Sequence, residues 1–244
     1  MTLAAATAAC SLVVTLDDLR SDAGTSDAAS DGASDAASGD GSWCSRNAPD
    51  ANFCEDFDEH AVTPSQSLGS SAYAQEDAHA TSAPLAARTS LFVDAGGKTL
   101  VWLATDSNSS NPATYTVAFD LFLEVAGSVD KPQLIQLTFS TDAGSSEIDV
   151  NATATALSVN EIGSGNGASI CNNAIALDAW RHVTLTIDFP SKMLTMSTQG
   201  NNCVTRSLVA NAPLGSPMLL YGIYTTSVIE SWQWDFDNVV VTSQ

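Results

Sequence analysis

The sequence predicts an all-β protein: a sandwich of two packed antiparallel sheets, preceded by a disordered tether. Three observations predict it. From residue 82 onward, β-branched and aromatic residues recur in short runs split by Gly, Pro, Asn and Ser. Several runs alternate, as in Val183, Leu185 and Ile187 against Thr184, Thr186 and Asp188, the period of a strand with one packed and one wet face. No window of about 12 residues carries a capped helical period, so crossover helices for a parallel sheet are lacking.

Taken in order, residues 1–16 read as a signal-like segment. The apolar run from Leu3 ends in Thr7-Ala8-Ala9-Cys10, and small residues before a Cys resemble the lipobox of bacterial lipoproteins, which implies acylation at Cys10. No Lys or Arg stands ahead of the run, and Thr7 occupies the usual Leu position. Residues 17–42 are nearly all Asp, Ala, Ser and Gly, with quasi-repeats at 26–30 and 34–38. Such side chains cannot offset the entropy of ordering, so a disordered linker is expected. Residues 43–244 hold enough apolar mass for one core. Strands are expected at 90–93, 99–104, 115–125, 134–140, 147–152, 156–161, 182–189, 194–198, 218–224 and 231–241. Turn signals such as Ala95-Gly96-Gly97 and Asp142-Ala143-Gly144 separate them.

Charge narrows the partners. The 28 acidic and 8 basic residues leave a net charge of −20, which repels phosphate backbones and anionic lipid heads. Nucleic acid is excluded as a partner, and a membrane is reachable only through an N-terminal lipid anchor. A glycan or a surface protein fits better, as does a divalent cation, and the charge favours a soluble monomer.

Besides Cys10, the chain has Cys44, Cys54, Cys171 and Cys203, an even set in an export context. Three connectivities are possible. Proximity and the turn residues Asn47, Pro49 and Asp50 favour Cys44 with Cys54, leaving Cys171 and Cys203 to bracket the expected hairpin 182–198. No Cys-x-x-Cys spacing supports zinc instead.

Three segments carry a resemblance. Trp180-Arg181-His182-Val183 through Asp188 resembles a strand of laminin-G-like and concanavalin-A-like jelly rolls. Trp234-Asp235-Phe236-Asp237-Asn238-Val239 resembles their closing strand, and Phe53-Cys54-Glu55-Asp56-Phe57-Asp58 their opening strand. The resemblance spans about residues 50–244 and implies a jelly-roll sandwich, a fold that hosts lectins, glycosidases, lyases and adhesion modules alike. It also implies a structural calcium ion where opening and closing strands meet, with Asp237 and Asp56 as ligands.

Glu147-Ile148-Asp149-Val150-Asn151 resembles the Glu-x-Asp-x-Glu strand of laminarinase-like glycoside hydrolases. Period two puts Glu147 and Asp149 on one face, but Asn151 stands where a proton-transferring carboxylate is needed. No nucleophile elbow or zinc-helix motif is present. Trp232, Trp234 and Phe236 share one face and read as core, whereas Trp102, Tyr221 and Tyr224, with polar neighbours, are candidate ligand-stacking residues. The expectation is a non-catalytic, surface-anchored, lectin-like domain. The alternatives are a glycan hydrolase or lyase of the same fold, or a purely structural envelope or adhesion component.

Overall fold

The computed structural model describes residues 42–244 apart from 59–60, 83, 93–98, 107–110, 129–130 and 227–229. The lipobox-like segment with Cys10, and all but the last residue of the 17–42 linker, lie outside the described residues. A five-residue helix opens the described chain, α1 (Trp43–Asn47), capped by Ser42, whose Oγ accepts from the Ser45 N–H. Fifteen strands follow. They are β1 (Phe53–Glu55), β2 (Gln66–Leu68), β3 (Ser71–Glu76), β4 (Ala86–Leu91) and β5 (Thr99–Asp106). Next come β6 (Thr114–Val125), β7 (Gln133–Thr141), β8 (Gly144–Ala152), β9 (Leu157–Ile162) and β10 (Ser169–Cys171). The last are β11 (Trp180–Asp188), β12 (Met193–Thr198), β13 (Asn201–Ser207), β14 (Met218–Thr225) and β15 (Trp232–Ser243).

They form two antiparallel sheets, as the alternation requires. The eight-stranded sheet runs β13-β12-β11-β6-β15-β4-β3, with β1 also on β15; the seven-stranded sheet runs β10-β9-β8-β7-β14-β5-β2. The long β15 pairs with β4 through Trp232–Phe236 and with β1 through Val239–Val241. Between those stretches its register with β6 shifts, and Asn238 takes a φ of 51°. That is a bulge, and it opens a gap between the ends of β1 and β4.

The core lies between the inner faces. Trp232, Trp234 and Phe236 are each 0% exposed, so the period-two reading of these aromatics as core holds. Trp234 also donates through Nε1 to the Gly222 carbonyl at 3.0 Å, which satisfies its one polar atom. Both cysteine pairings occur as proximity favours: Cys44 with Cys54 at a Cα separation of 5.7 Å, and Cys171 with Cys203 at 5.2 Å. The first ties α1 to β1. The second joins β10, at one edge of the seven-stranded sheet, to β13, at one edge of the eight-stranded sheet.

Candidate ligand-binding face

The outer face of the seven-stranded sheet brings most of the chain's candidate binding residues together. On β14, Leu219, Tyr221 and Ile223 join the inter-sheet core, and on β5 so do Val101 and Leu103. Their neighbours Leu100, Trp102 and Leu220 form a separate buried cluster on the other side, with Met218 and Tyr224 packed against it. Gly222 makes room for it. A β-carbon there would lie 2.2 Å from the Val101 carbonyl oxygen and 3.3 Å from Trp102 Cε3, and its φ of 143° suits glycine alone.

Trp102 and Tyr224 therefore do share a face, with ring centroids 6.1 Å apart. Their roles differ. Trp102 is 3% exposed and Tyr224 is half-buried, so Trp102 is the floor and Tyr224 the reachable ring. Tyr221 is a correction. It is 2% exposed and packs edge-on to Phe57 and Phe236 in the core. The reason is phase: residues three apart on a strand point to opposite sides.

Beside the aromatic patch the sheet turns polar. Ile148, Val150 and Ala152 fill the core, so Glu147, Asp149 and Asn151 project outward. Across the ladders, Leu220 stands beside Gln136, Gln136 beside Asp149, and Asp149 beside Asn160. The next row holds Tyr224, Gln133, Asn151 and Ser158. Gln136 and Asn160 thus flank Asp149, and Gln133 stands between Tyr224 and Asn151. Gln133 Nε2 donates to Asp149 Oδ1 at 2.5 Å. Burial, reinforced by the charge of Glu147 and a hydrogen bond with it, pushes Asp149 up to about 8. Asp149 is therefore protonated at neutral pH. Burial and the same two acids raise the Tyr224 phenol as well.

The opposite outer face carries charge of a different kind. Arg88 on β4 places Nε 2.9 Å from Asp235 Oδ1 and Nη2 2.8 Å from Glu76 Oε1, and it also pairs with Glu124. His79 stacks on Phe122 at 4.2 Å and sets Nδ1 3.1 Å from Asp235 Oδ2. Oxygen and nitrogen atoms of Glu76, His79 and Asp235 lie within 4.8 Å of one another. The Arg88 guanidinium already pairs with Glu76 and Asp235 and lies 3.0 Å from His79 Nδ1, so a metal ion would meet a fixed positive charge at its ligands. Nearby, Asp120 Oδ1 lies 2.8 Å from His182 Nδ1 and, through that hydrogen bond, raises the imidazole. His182 sits at the surface, with its side chain 46% exposed.

Of the two residues expected to hold calcium, Asp237 lies at the β15 bulge and Asp56 directly follows β1. Asp237 is fully buried and accepts from Thr81 N, Thr81 Oγ1 and Ser82 N, each at 2.8 Å, through Oδ2. Its Oδ1 accepts from Ser82 Oγ and Asn238 N at 2.9 and 2.8 Å. Asp56 accepts from the Cys44 and Asp58 N–H groups at 3.1 and 3.4 Å. These partners are donors, the reverse of what surrounds a cation's ligand. In this arrangement Asp237 clasps the 81–82 segment into the gap between β1 and β4. A calcium ion would have to displace several of those bonds.

Sequence comparison is silent: no protein-family model matches the chain, and no curated protein matches it. Solved structures do match. An endo-β-1,4-glucuronan lyase from the fungus Trichoderma reesei superposes with a TM-score of 0.60 at 12% identity, covering 80% of this chain and 96% of that one. The cellulose-induced protein Cip1 gives 0.59 at 10% identity, covering 79% and 97%. At such identities the likeness is one of fold, and strand order, sheet pairing and superposition agree on it: the chain folds as a concanavalin-A-like jelly roll.

Proposed function

We propose that this is an exported, non-catalytic glycan-binding domain that takes a sugar chain on the outer face of the seven-stranded sheet. One observation carries the reading. A half-buried Tyr224 on a Trp102 floor stands beside Gln133, on a sheet face that continues through the amides of Gln136, Asn151 and Asn160. A ring offers a sugar its apolar face, and amides both donate to and accept from hydroxyls. One of the two solved structures named above is a glucuronan lyase and the other a cellulose-induced protein, which supports a carbohydrate partner. Two disulfides belong to an oxidising compartment, which supports export. Acylation at Cys10 and a 17–42 spacer would hold the domain at a cell surface.

Catalysis has a specific obstacle. A retaining glycosidase needs a second carboxylate to carry the proton, and the outward residue after Asp149 is Asn151, an amide. What favours an enzyme is the adjacent Glu147 and Asp149 carboxyls, with the Asp149 pKa raised. The test is affinity electrophoresis of the full chain through gels containing soluble glycans, with reducing-end release measured in parallel. Retardation lost in Tyr224→Ala but kept in Tyr224→Phe, without sugar release, supports the binding role. Release abolished by Glu147→Gln would make the protein an enzyme.

A further inference from the structure

We infer that the chain bound on this face is an uncharged glycan, and that the Glu147–Asp149 pair excludes polyuronates; this rests on the reading of the face as a glycan site. The fold alone gives no such preference. Topology places the charge. Not one Lys, Arg or His stands on any of the seven strands of this sheet. The basic residues on described strands are Arg88, Arg181, His182 and Arg206, all in the other sheet. The fold thus sorts its few cations away from the candidate site. Lys131, two residues before β7, is exposed at the margin, and Lys98 lies outside the described residues.

What the face presents instead is an acidic pair flanked by neutral amides. A uronate binds through its carboxylate, which wants a guanidinium, an ammonium or a cluster of N–H groups. Here most backbone N–H groups are engaged in strand ladders. An incoming carboxylate would lie beside Glu147 in a half-buried setting, where like charges repel more strongly than in water. A hydroxymethyl group at the same position meets no such penalty and can donate to Glu147 or accept from an amide. The pair acts as an element of rejection as much as one of attraction. Burial and the neighbouring Glu147 charge keep the proton on Asp149, so the pair can still donate to and accept from hydroxyls.

The experiment compares hexasaccharides that differ only in the C6 group: β-1,4-glucan against β-1,4-glucuronan, and β-1,4-mannan against β-1,4-mannuronan, with β-1,3-glucan as a third neutral backbone. Titration calorimetry on the full chain at about 0.5 M salt screens the overall charge, so that only short-range repulsion remains. The expected result is that a neutral hexamer binds at least about tenfold more tightly than its uronate counterpart. Tyr224→Ala should abolish that binding while the variant still melts cooperatively. Glu147→Gln should narrow the ratio by about threefold or more. A uronate hexamer bound as tightly as the neutral one, in a Tyr224-dependent way, overturns the inference and leaves the site in place. Absence of Tyr224-dependent binding by every hexamer removes the site itself, and the preference with it.

Discussion

Asp149 lies on an otherwise polar face, yet burial and Glu147 together hold its proton to about pH 8. That shift has a consequence for stability whose sign is definite. The folded pKa is above the unfolded value of about 3.9, so the folded state binds the extra proton between them. The contribution is full below about pH 4 and is lost as pH rises towards 8. Asp149→Asn, which keeps the shape and removes the titration, should therefore flatten the loss. Its melting midpoint should exceed that of the parent at pH 8.5 by roughly 2–4 °C, as about 1 kcal/mol gives for a domain of this size, and by less at pH 5. Thermal melts across pH check this. At the same scale, period two was enough to put Glu147, Asp149 and Asn151 on one side, because the strand is regular and its neighbours Ile148 and Val150 are plainly apolar. The tyrosines were harder. Tyr221 and Tyr224 have similar neighbours in the sequence, and only the packing of Leu219 and Ile223 shows which phase of β14 is inward. The raised pKa of Asp149 has no signature in sequence at all, since its largest cause is burial, which is set by packing.

Among the elements, β14 depends on Gly222 more than on any apolar residue. Its φ of 143° and the 2.2 Å approach of a would-be β-carbon to the Val101 carbonyl leave no room for alanine. Gly222→Ala should cost at least about 1–3 kcal/mol, measured by urea unfolding. It should also weaken glycan binding, because the Trp102 floor lies against the same site. The β15 bulge makes a second test. Asp237→Ala removes the acceptor for five hydrogen bonds and strands buried donors, at an expected cost of about 3 kcal/mol. The loss should appear in chelator-treated protein with or without added calcium. A calcium ion bound at this junction would instead raise the midpoint of the parent and not of the variant. Strands that face the core declared themselves in the sequence; edge strands did not. β3 reads Ser-Ala-Tyr-Ala-Gln-Glu and β13 reads Asn-Asn-Cys-Val-Thr-Arg-Ser, polar segments that pair on one side only and so need little apolar content. The run expected at 90–93 is the end of β4, which starts at Ala86 because its first residues pair with Phe236 and Asp235.

For the whole molecule, the jelly roll was legible because its two ends and one central strand carry recognisable residues, and because alternation persists over most of the chain. What pairing by proximity did not reveal is that Cys171 and Cys203 connect different sheets, since β10 is only three residues long and β13 is mostly polar. The bridge closes one open side of the sandwich. Replacing both cysteines with serine should lower stability by about 2–4 kcal/mol in chemical unfolding, and the loss should fall on the association of the two sheets as a unit. A retained cooperative transition with a lower midpoint is the expected outcome.

The pairing of β1 with β15 reaches further than stability. Asn52 donates its backbone N–H to the Val241 carbonyl at 2.8 Å, and its side chain accepts from the Ser243 N–H and Oγ. The sandwich is entered and left at one spot. A domain built this way can be spliced into a surface loop of a host protein as a cartridge, with short connections at both ends and no strand of the host pulled apart. Equally, its two ends can be fused and the chain reopened in the turn that holds Gly163 and Gly165, both at positive φ. Order along the chain is thus separable from order in the sheets.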